Sequence, residues 1–160
     1  MTPKQRSDHS PRRGFTIVEL LIVIVVIGIL AAIVIVAYSG IQSKARDASR
    51  VSSVQAMHTA LSLYYVDNGS FPTTGQIIGP TNTWPLANLI GVNASILVNP
   101  SAPSGTVNSY SAGGSAVTAS NYSYYSVRSD GSLCTVAGQC TDFRLAWRSE
   151  STGGVTGYRK

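Results

Sequence analysis

The side chains able to do chemistry are few and poorly spaced for catalysis. Two histidines (His9 and His58), two cysteines (Cys134 and Cys140) and seven acids are the whole supply of this 160-residue chain. His58 has no second histidine or acid at metal-ligand spacing, which points to a packing or surface position. Cys134 and Cys140 form a Cys-x5-Cys pair, a gap that suits neither zinc nor thioredoxin-type redox chemistry. Asp130 and Asp142 are the only aspartates of the C-terminal stretch, and two carboxylates make a thin calcium site. No metal or cofactor is expected. No Ser/His/Asp, Cys/His or paired-carboxylate constellation can be assembled, so the chain is not expected to be an enzyme. The acid that stands out is Glu19, one turn inside an apolar run.

That run must position Glu19. From Leu20 to Ser43 no residue carries a formal charge, and nearly all are Ile, Val, Leu, Ala or Gly. About 20 such residues cross a hydrocarbon core of roughly 30 Å. Only 12% of the chain is charged, about half the usual share of a soluble domain, and the length allows one domain of ordinary size. The net charge of +5 is uneven. Lys4, Arg6, Arg12 and Arg13 face only Asp8 in residues 1–14. Basic residues before the run favour a cytoplasmic N-terminus, while Lys44, Arg46 and Arg50 beyond it vote the other way. A secretory signal peptide would have an apolar region of about 7–15 residues; this one is longer, although Ile35-Val36-Ala37 is a passable cleavage site. A plain anchor gains nothing from Glu19, since a carboxylate at the centre of a spanning helix costs about 2.5–3.5 kcal/mol, less near its end. Glu19 therefore asks for a partner.

The run Arg12-Arg13-Gly14-Phe15-Thr16-Ile17-Val18-Glu19-Leu20-Leu21-Ile22-Val23 resembles the cleavage and N-methylation site of type IV pilin precursors and secretion pseudopilins. The resemblance implies that a membrane prepilin peptidase cuts after Gly14 and methylates the new N-terminus at Phe15. It also implies that Glu19, fifth residue of the mature chain, has a role in assembly. Cutting would create a positive amine at Phe15, one helical turn from Glu19. In a helical stack, the Glu19 carboxylate would meet the Phe15 amine of a neighbouring copy. A paired carboxylate is tolerable in apolar surroundings where a lone one is not, so the pair sets register more than stability. Many family members have a proline about twenty residues after the cut. Here Ala32-Ile33-Val34-Ile35-Val36-Ala37 has none, leaving Gly28 and Gly40 as the weak points.

Beyond the apolar segment, Ile41, Ala45, Ala48, Val51, Val54, Met57 or His58, Leu61 and Tyr64 or Tyr65 recur at steps of three and four. This reads as one apolar stripe on a helix whose other face carries Ser, Gln, Arg and Asp. One helix over about Thr16–Val66, about 75 Å long, is expected. Asp67-Asn68-Gly69 stops it, with Gly69 suited to a left-handed cap and Pro72 soon after. Leu63–Thr74 resembles the helix-to-loop junction of major pseudopilins and several pilins. Gly69 to Ser120 reads as a connecting region with one short helix near Leu86–Ile90. Tyr122–Val127 and the alternation of Phe143, Leu145 and Trp147 with Arg144, Ala146 and Arg148 predict antiparallel strands covering the helix stripe. The tail from Thr152 to Lys160 adds an edge strand or stays loose. The expected fold is α+β and pilin-like: a long N-terminal helix, its first half transmembrane, packed on a small antiparallel sheet. The parts are a cleaved leader (1–14), a transmembrane and assembly half (15–40), an amphipathic half (41–68) and a head (69–160).

A head outside the cytoplasmic membrane would place Cys134 and Cys140 in an oxidising setting that favours a disulfide, as pilins often carry, worth roughly 2–2.5 kcal/mol on the chain-entropy model. The alternative is two free thiols. Three Asn-x-Ser sequons, at Asn68, Asn93 and Asn121, carry little weight in so Ser- and Asn-rich a chain.

The resemblance implies a filament subunit that is a substrate of processing and performs no chemistry itself. Its partners would be copies of itself and other pilins, the prepilin peptidase, an inner-membrane assembly platform, and lipid before assembly. The expected setting is a single pass of the cytoplasmic membrane, N-terminus inside and head outside, then an extracellular or periplasmic filament. The cysteine pair and thin calcium site favour a type IV pilin, and the Asp67–Pro72 junction favours a type II secretion pseudopilin. A DNA-binding competence pilin would need Lys44, Arg46, Arg50, Arg128, Arg144, Arg148, Arg159 and Lys160 gathered on one face; solubilising charges are the plainer expectation.

Overall fold

The computed structural model describes residues 14–79, 81–113 and 116–159, so the expected leader lies outside the described residues except for Gly14. The chain divides into two compact units, Met1–Ser39 and Gly40–Lys160. Helix α1, Ile17–Asn68, begins in the first and ends in the second.

In the first unit, residues 14–35 are exposed on every side. From Leu20 to Ile35 every face is aliphatic or glycine, and α1 is long and apolar enough to cross a membrane. Gly28 and Gly40 both sit within the helix. At the far end the Gly69 N–H donates to the Tyr65 carbonyl at 2.8 Å. Gly69 has φ of +69°, the left-handed conformation that costs a β-carbon most.

The second unit is a four-stranded sheet laid against the later turns of α1. Its strands are β1 (Tyr110–Ala112), β2 (Tyr122–Val127), β3 (Asp142–Arg148) and β4 (Val155–Arg159), in that spatial order. β2, β3 and β4 pair antiparallel, with Tyr124 opposite Leu145 and Leu145 opposite Tyr158. Alternation puts Tyr122, Tyr124, Phe143, Leu145 and Trp147 into the core with Val54, Met57, Ala60 and Leu61 of α1. His58 packs as expected of a histidine without ligand partners, its ring 5.6 Å from Phe143 and 5.4 Å from Tyr158. The tail forms an edge strand.

Two details differ from expectation. β1 runs parallel to β2, so the sheet is mixed. Parallel neighbours usually need a crossover of a dozen or more residues; a three-residue strand, about 10 Å long, leaves only a short way back. Asn121 closes that return, accepting from the Thr118 N–H at 2.7 Å and donating to the Ser111 hydroxyl at 3.2 Å. The connecting region also holds three short helices, α2 (Thr74–Ile77), α3 (Thr83–Asn88) and α4 (Ala94–Leu97). Thr73 and Gln76 form a capping box on α2, and Asn93 caps α4.

The disulfide is present: Cys134 and Cys140 are bonded and fully buried. Their loop is tied into the fold by Cys134 N–H to Ser126 O and Phe71 N–H to Cys140 O, both 2.8 Å.

Candidate functional site

The N-terminal segment places its groups close together. Phe15 is 80% exposed, with Thr16 and Glu19 beside it at the helix start. Glu19 Oε2 accepts from the Thr16 N–H at 2.9 Å and the Thr16 hydroxyl at 2.8 Å. The Thr16 hydroxyl accepts from the Glu19 N–H at 3.2 Å. This is a capping box, which satisfies orphan donors of the first turn and holds the acid where the helix dipole favours it. The Thr-x-x-Glu spacing from Thr16 to Glu19 is its sequence signature. Glu19 is thus fixed at the helix entrance, one turn from the Phe15 backbone, where a carboxylate can receive a cationic group.

The second half of α1 turns its faces differently from the single apolar stripe expected. Asp47, Arg50, Val54, Met57 and Leu61 are buried, at steps of three and four. Ile41, Ala45 and Ala48, members of the expected stripe, point nearly opposite and are exposed, with Val51 also outside. The exposed face runs Ile41, Ala45, Ala48, Ser52, Gln55 and Thr59, again at steps of four and three and without a formal charge. The reason for the reversal is a polar junction.

Arg50 is 0% exposed and does not solubilise the helix. Its Nη1 donates to Asp47 Oδ1 at 2.7 Å, and its Nη2 to Ser101 Oγ at 2.6 Å, Ala119 O at 2.8 Å and Glu150 Oε1. Nε donates to Asn99 Oδ1 at 3.3 Å. Arg46 Nη2 pairs with Glu150 Oε2 at 2.7 Å. Asp47 Oδ2 accepts from the hydroxyls of Ser149 and Ser151, each at 2.7 Å, and its Oδ1 from the Glu150 N–H at 2.9 Å. Two guanidinium groups therefore face two carboxylates, and the segments at Asn99–Ser101, Ala119 and Glu150 each contribute an acceptor. Hydrogen bonds from Arg46 and Ser101, and then Arg50, hold the Glu150 carboxyl at about 2. Burial pushes Asp47 up, but bonds from Ser151, Glu150 and Ser149 outweigh it and keep this carboxyl below the usual range.

Of the basic residues weighed for nucleic acid, Lys160 lies outside the described residues, and those whose side chains are described are not gathered on one face. Arg46 and Arg50 are engaged at the junction, while Arg144 and Arg148 lie on the far face of the sheet, in register with Arg159 and Val155. Asp130 accepts from the Ser132 N–H and hydroxyl at 2.9 and 2.6 Å, holding a turn. No group of three or more His, Cys, Asp or Glu that could hold a metal occurs among the described residues.

Comparison with known proteins bears on the N-terminal segment. Residues 9–35 match the prokaryotic N-terminal methylation motif. The chain is 43% identical over 65 residues to the type II secretion system core protein G of Escherichia coli K12, covering 41% of this chain and 45% of that protein. It is 38% identical over 77 residues to core protein G of Vibrio cholerae, covering 45% and 53%. It is 32% identical over 68 residues to a fimbrial protein of Neisseria meningitidis, covering 42% and 40%. The chain thus spans about half the length, or less, of these curated relatives. No solved structure matches it. The prepilin-type N-terminus, the membrane-length helix and the α+β head agree with the pilin and pseudopilin resemblance.

Proposed function

We propose that the chain is a structural subunit of a type IV pilus-like filament, made as a membrane-anchored prepilin. In this reading the peptidase cuts between Gly14 and Phe15 and methylates Phe15. The apolar half of α1 holds the subunit in the cytoplasmic membrane, head outside, until an assembly platform extracts it. Subunits then pack helix to helix. The exposed Ile41–Thr59 face carries the argument, because it is uncharged and built largely of small residues at heptad-like steps. A small-residue face lets helices approach closely, while the head is held by the opposite face.

Glu19 supplies register. Its carboxylate already accepts two bonds from Thr16, and an acceptor of this kind has lone pairs left for the Phe15 amine of a neighbouring copy. The similarity to core protein G favours a second reading within the same class, a pseudopilin of a type II secretion system. The Cys134–Cys140 pair and the thin calcium site of Asp130 and Asp142 favour the pilin reading. On neither reading does the chain catalyse a reaction.

The test is a Glu19→Ala variant expressed with its native machinery. The expected result is a processed subunit that stays in the membrane fraction while wild type enters sheared filaments. Filaments of normal abundance from the variant would overturn the pairing.

A further inference from the structure

We propose that the sheet face turned away from α1 binds an acidic polysaccharide, through arginines that flank a notch about the size of one sugar ring. The inference concerns the head alone and does not depend on filament assembly.

Strand register builds the face. Arg144, Ala146 and Arg148 project from β3 on the side opposite buried Phe143, Leu145 and Trp147. Across β4, Arg159 stands opposite Arg144, Gly157 opposite Ala146 and Val155 opposite Arg148. On the other side, Tyr125 of β2 is the partner of Arg144. Four residues of extended chain set the Arg144 and Arg148 positions about 13 Å apart. Over Ala146 and Gly157 lies a cavity of about 240 Å³, lined also by Tyr125, Arg144, Leu145 and Tyr158.

Two glycines keep this surface open. A β-carbon at Gly157 would stand 2.8 Å from the Leu145 carbonyl oxygen and 3.4 Å from the Ala146 β-carbon, so no side chain can close the notch. A β-carbon at Gly113 would stand 1.9 Å from Tyr125 Cδ1. The Tyr125 ring therefore occupies the space a residue 113 side chain would take, resting on the sheet beside Arg144.

Charge selects an anionic partner. Among the described residues, Arg144 and Arg148 share this face with one acid, Asp142, two residues from Arg144 and opposite Val127. Spacing then separates two kinds of polyanion. A nucleic-acid duplex presents a charge about every 3.4 Å along each strand, and its readers track that density with closely repeated cations. Here Arg144 and Arg148 stand about 13 Å apart, and the floor between them, Ala146 and Gly157, is uncharged. A chain of sugar rings bearing carboxylates fits better. Carboxylates meet the guanidinium forks, and a ring with polar edges and an apolar face lies over Ala146 and Gly157 against Tyr125.

The test uses the full chain in detergent micelles at low ionic strength, with a fluorescent alginate hexasaccharide as probe. Maltohexaose and a thymidine oligonucleotide of equal charge serve as comparators. The expected result is saturable alginate binding, weakened about tenfold or more by Arg144→Gln with Arg148→Gln and abolished by Ala146→Glu, which puts a carboxylate into the notch. Thermal melting unchanged in these variants confirms that the head is folded. No alginate binding by wild type, or binding that survives both variants, overturns the proposal. So does oligonucleotide binding as tight as alginate binding and equally sensitive to the variants, which would assign the face to nucleic acid.

Discussion

Arg50 leaves water completely on folding, a transfer that costs several kcal/mol unless the guanidinium is fully paired. It is tolerated because Asp47, Glu150, Ser101, Asn99 and the Ala119 carbonyl all accept from it. Arg50→Met is expected to destabilise the head by about 3–5 kcal/mol, since it strands two carboxylates. Arg46→Met, at a pair 37% exposed on the arginine side, is expected to cost about 1 kcal/mol or less. Urea unfolding of the detergent-solubilised chain, followed by tryptophan fluorescence, separates the two; equal losses would remove Arg50 from its central place. The pH dependence follows from Glu150. Its carboxyl is held at about 2 against an ordinary 4.5, so the native state binds the proton less readily than the unfolded chain. Its contribution is whole above about pH 4.5 and lost as pH falls toward 2. Stability should decline across that window, and Glu150→Gln should shallow the decline. Sequence hid this junction because Asp47 and Arg50, three apart on a helix, look like an ordinary solvated pair. Nothing local announces that Glu150 joins them.

At the scale of elements, α1 serves two surfaces with one heptad-like rhythm. Stepping through 47, 50, 54, 57 and 61 faces the head, and stepping through 41, 45, 48, 52, 55 and 59 faces outward. Apolar periodicity found the upper part of the first set, Val54, Met57 and Leu61, and mistook Ile41, Ala45 and Ala48 for its continuation. It could not do otherwise, because polar Asp47, Arg50 and Ser53 occupy the buried positions. Ala48→Glu separates the two surfaces. It should leave thermal melting of the head within about 0.5 kcal/mol of wild type and sharply reduce filament recovery; normal filaments would take the outward face out of assembly. The strands were more legible. β2 and β3 declare themselves by aromatic content and strict alternation, whereas β1 is three residues, Tyr110-Ser111-Ala112, too short to carry a period. The capping boxes at Thr16 and Thr73 were open to view as Thr-x-x-Glu and Thr-x-x-Gln.

For the whole molecule, charge is scarce and placed. The net +5 lies mostly in residues 1–14, and Arg50 of α1 is spent inside. The head is closed by one disulfide whose short loop is bonded to β2 and to the residues after α1. Replacing both Cys134 and Cys140 by Ser should lower stability by roughly 2–2.5 kcal/mol, read by the same urea titration; no change would mean the loop is held by its backbone bonds alone. The membrane-length segment was plain in the sequence because it rests on composition, whereas the disulfide followed only from the expected compartment and left two free thiols as the alternative. The central claim, that this chain is processed for assembly, rests on Gly14, Phe15 and Glu19. Intact-mass and N-terminal analysis of the protein purified from its native cells tests it most directly. A chain that begins at Phe15 and carries one methyl group on its amine is the predicted result. A chain that begins at Tyr38, or one that retains Met1 or Thr2, would contradict it.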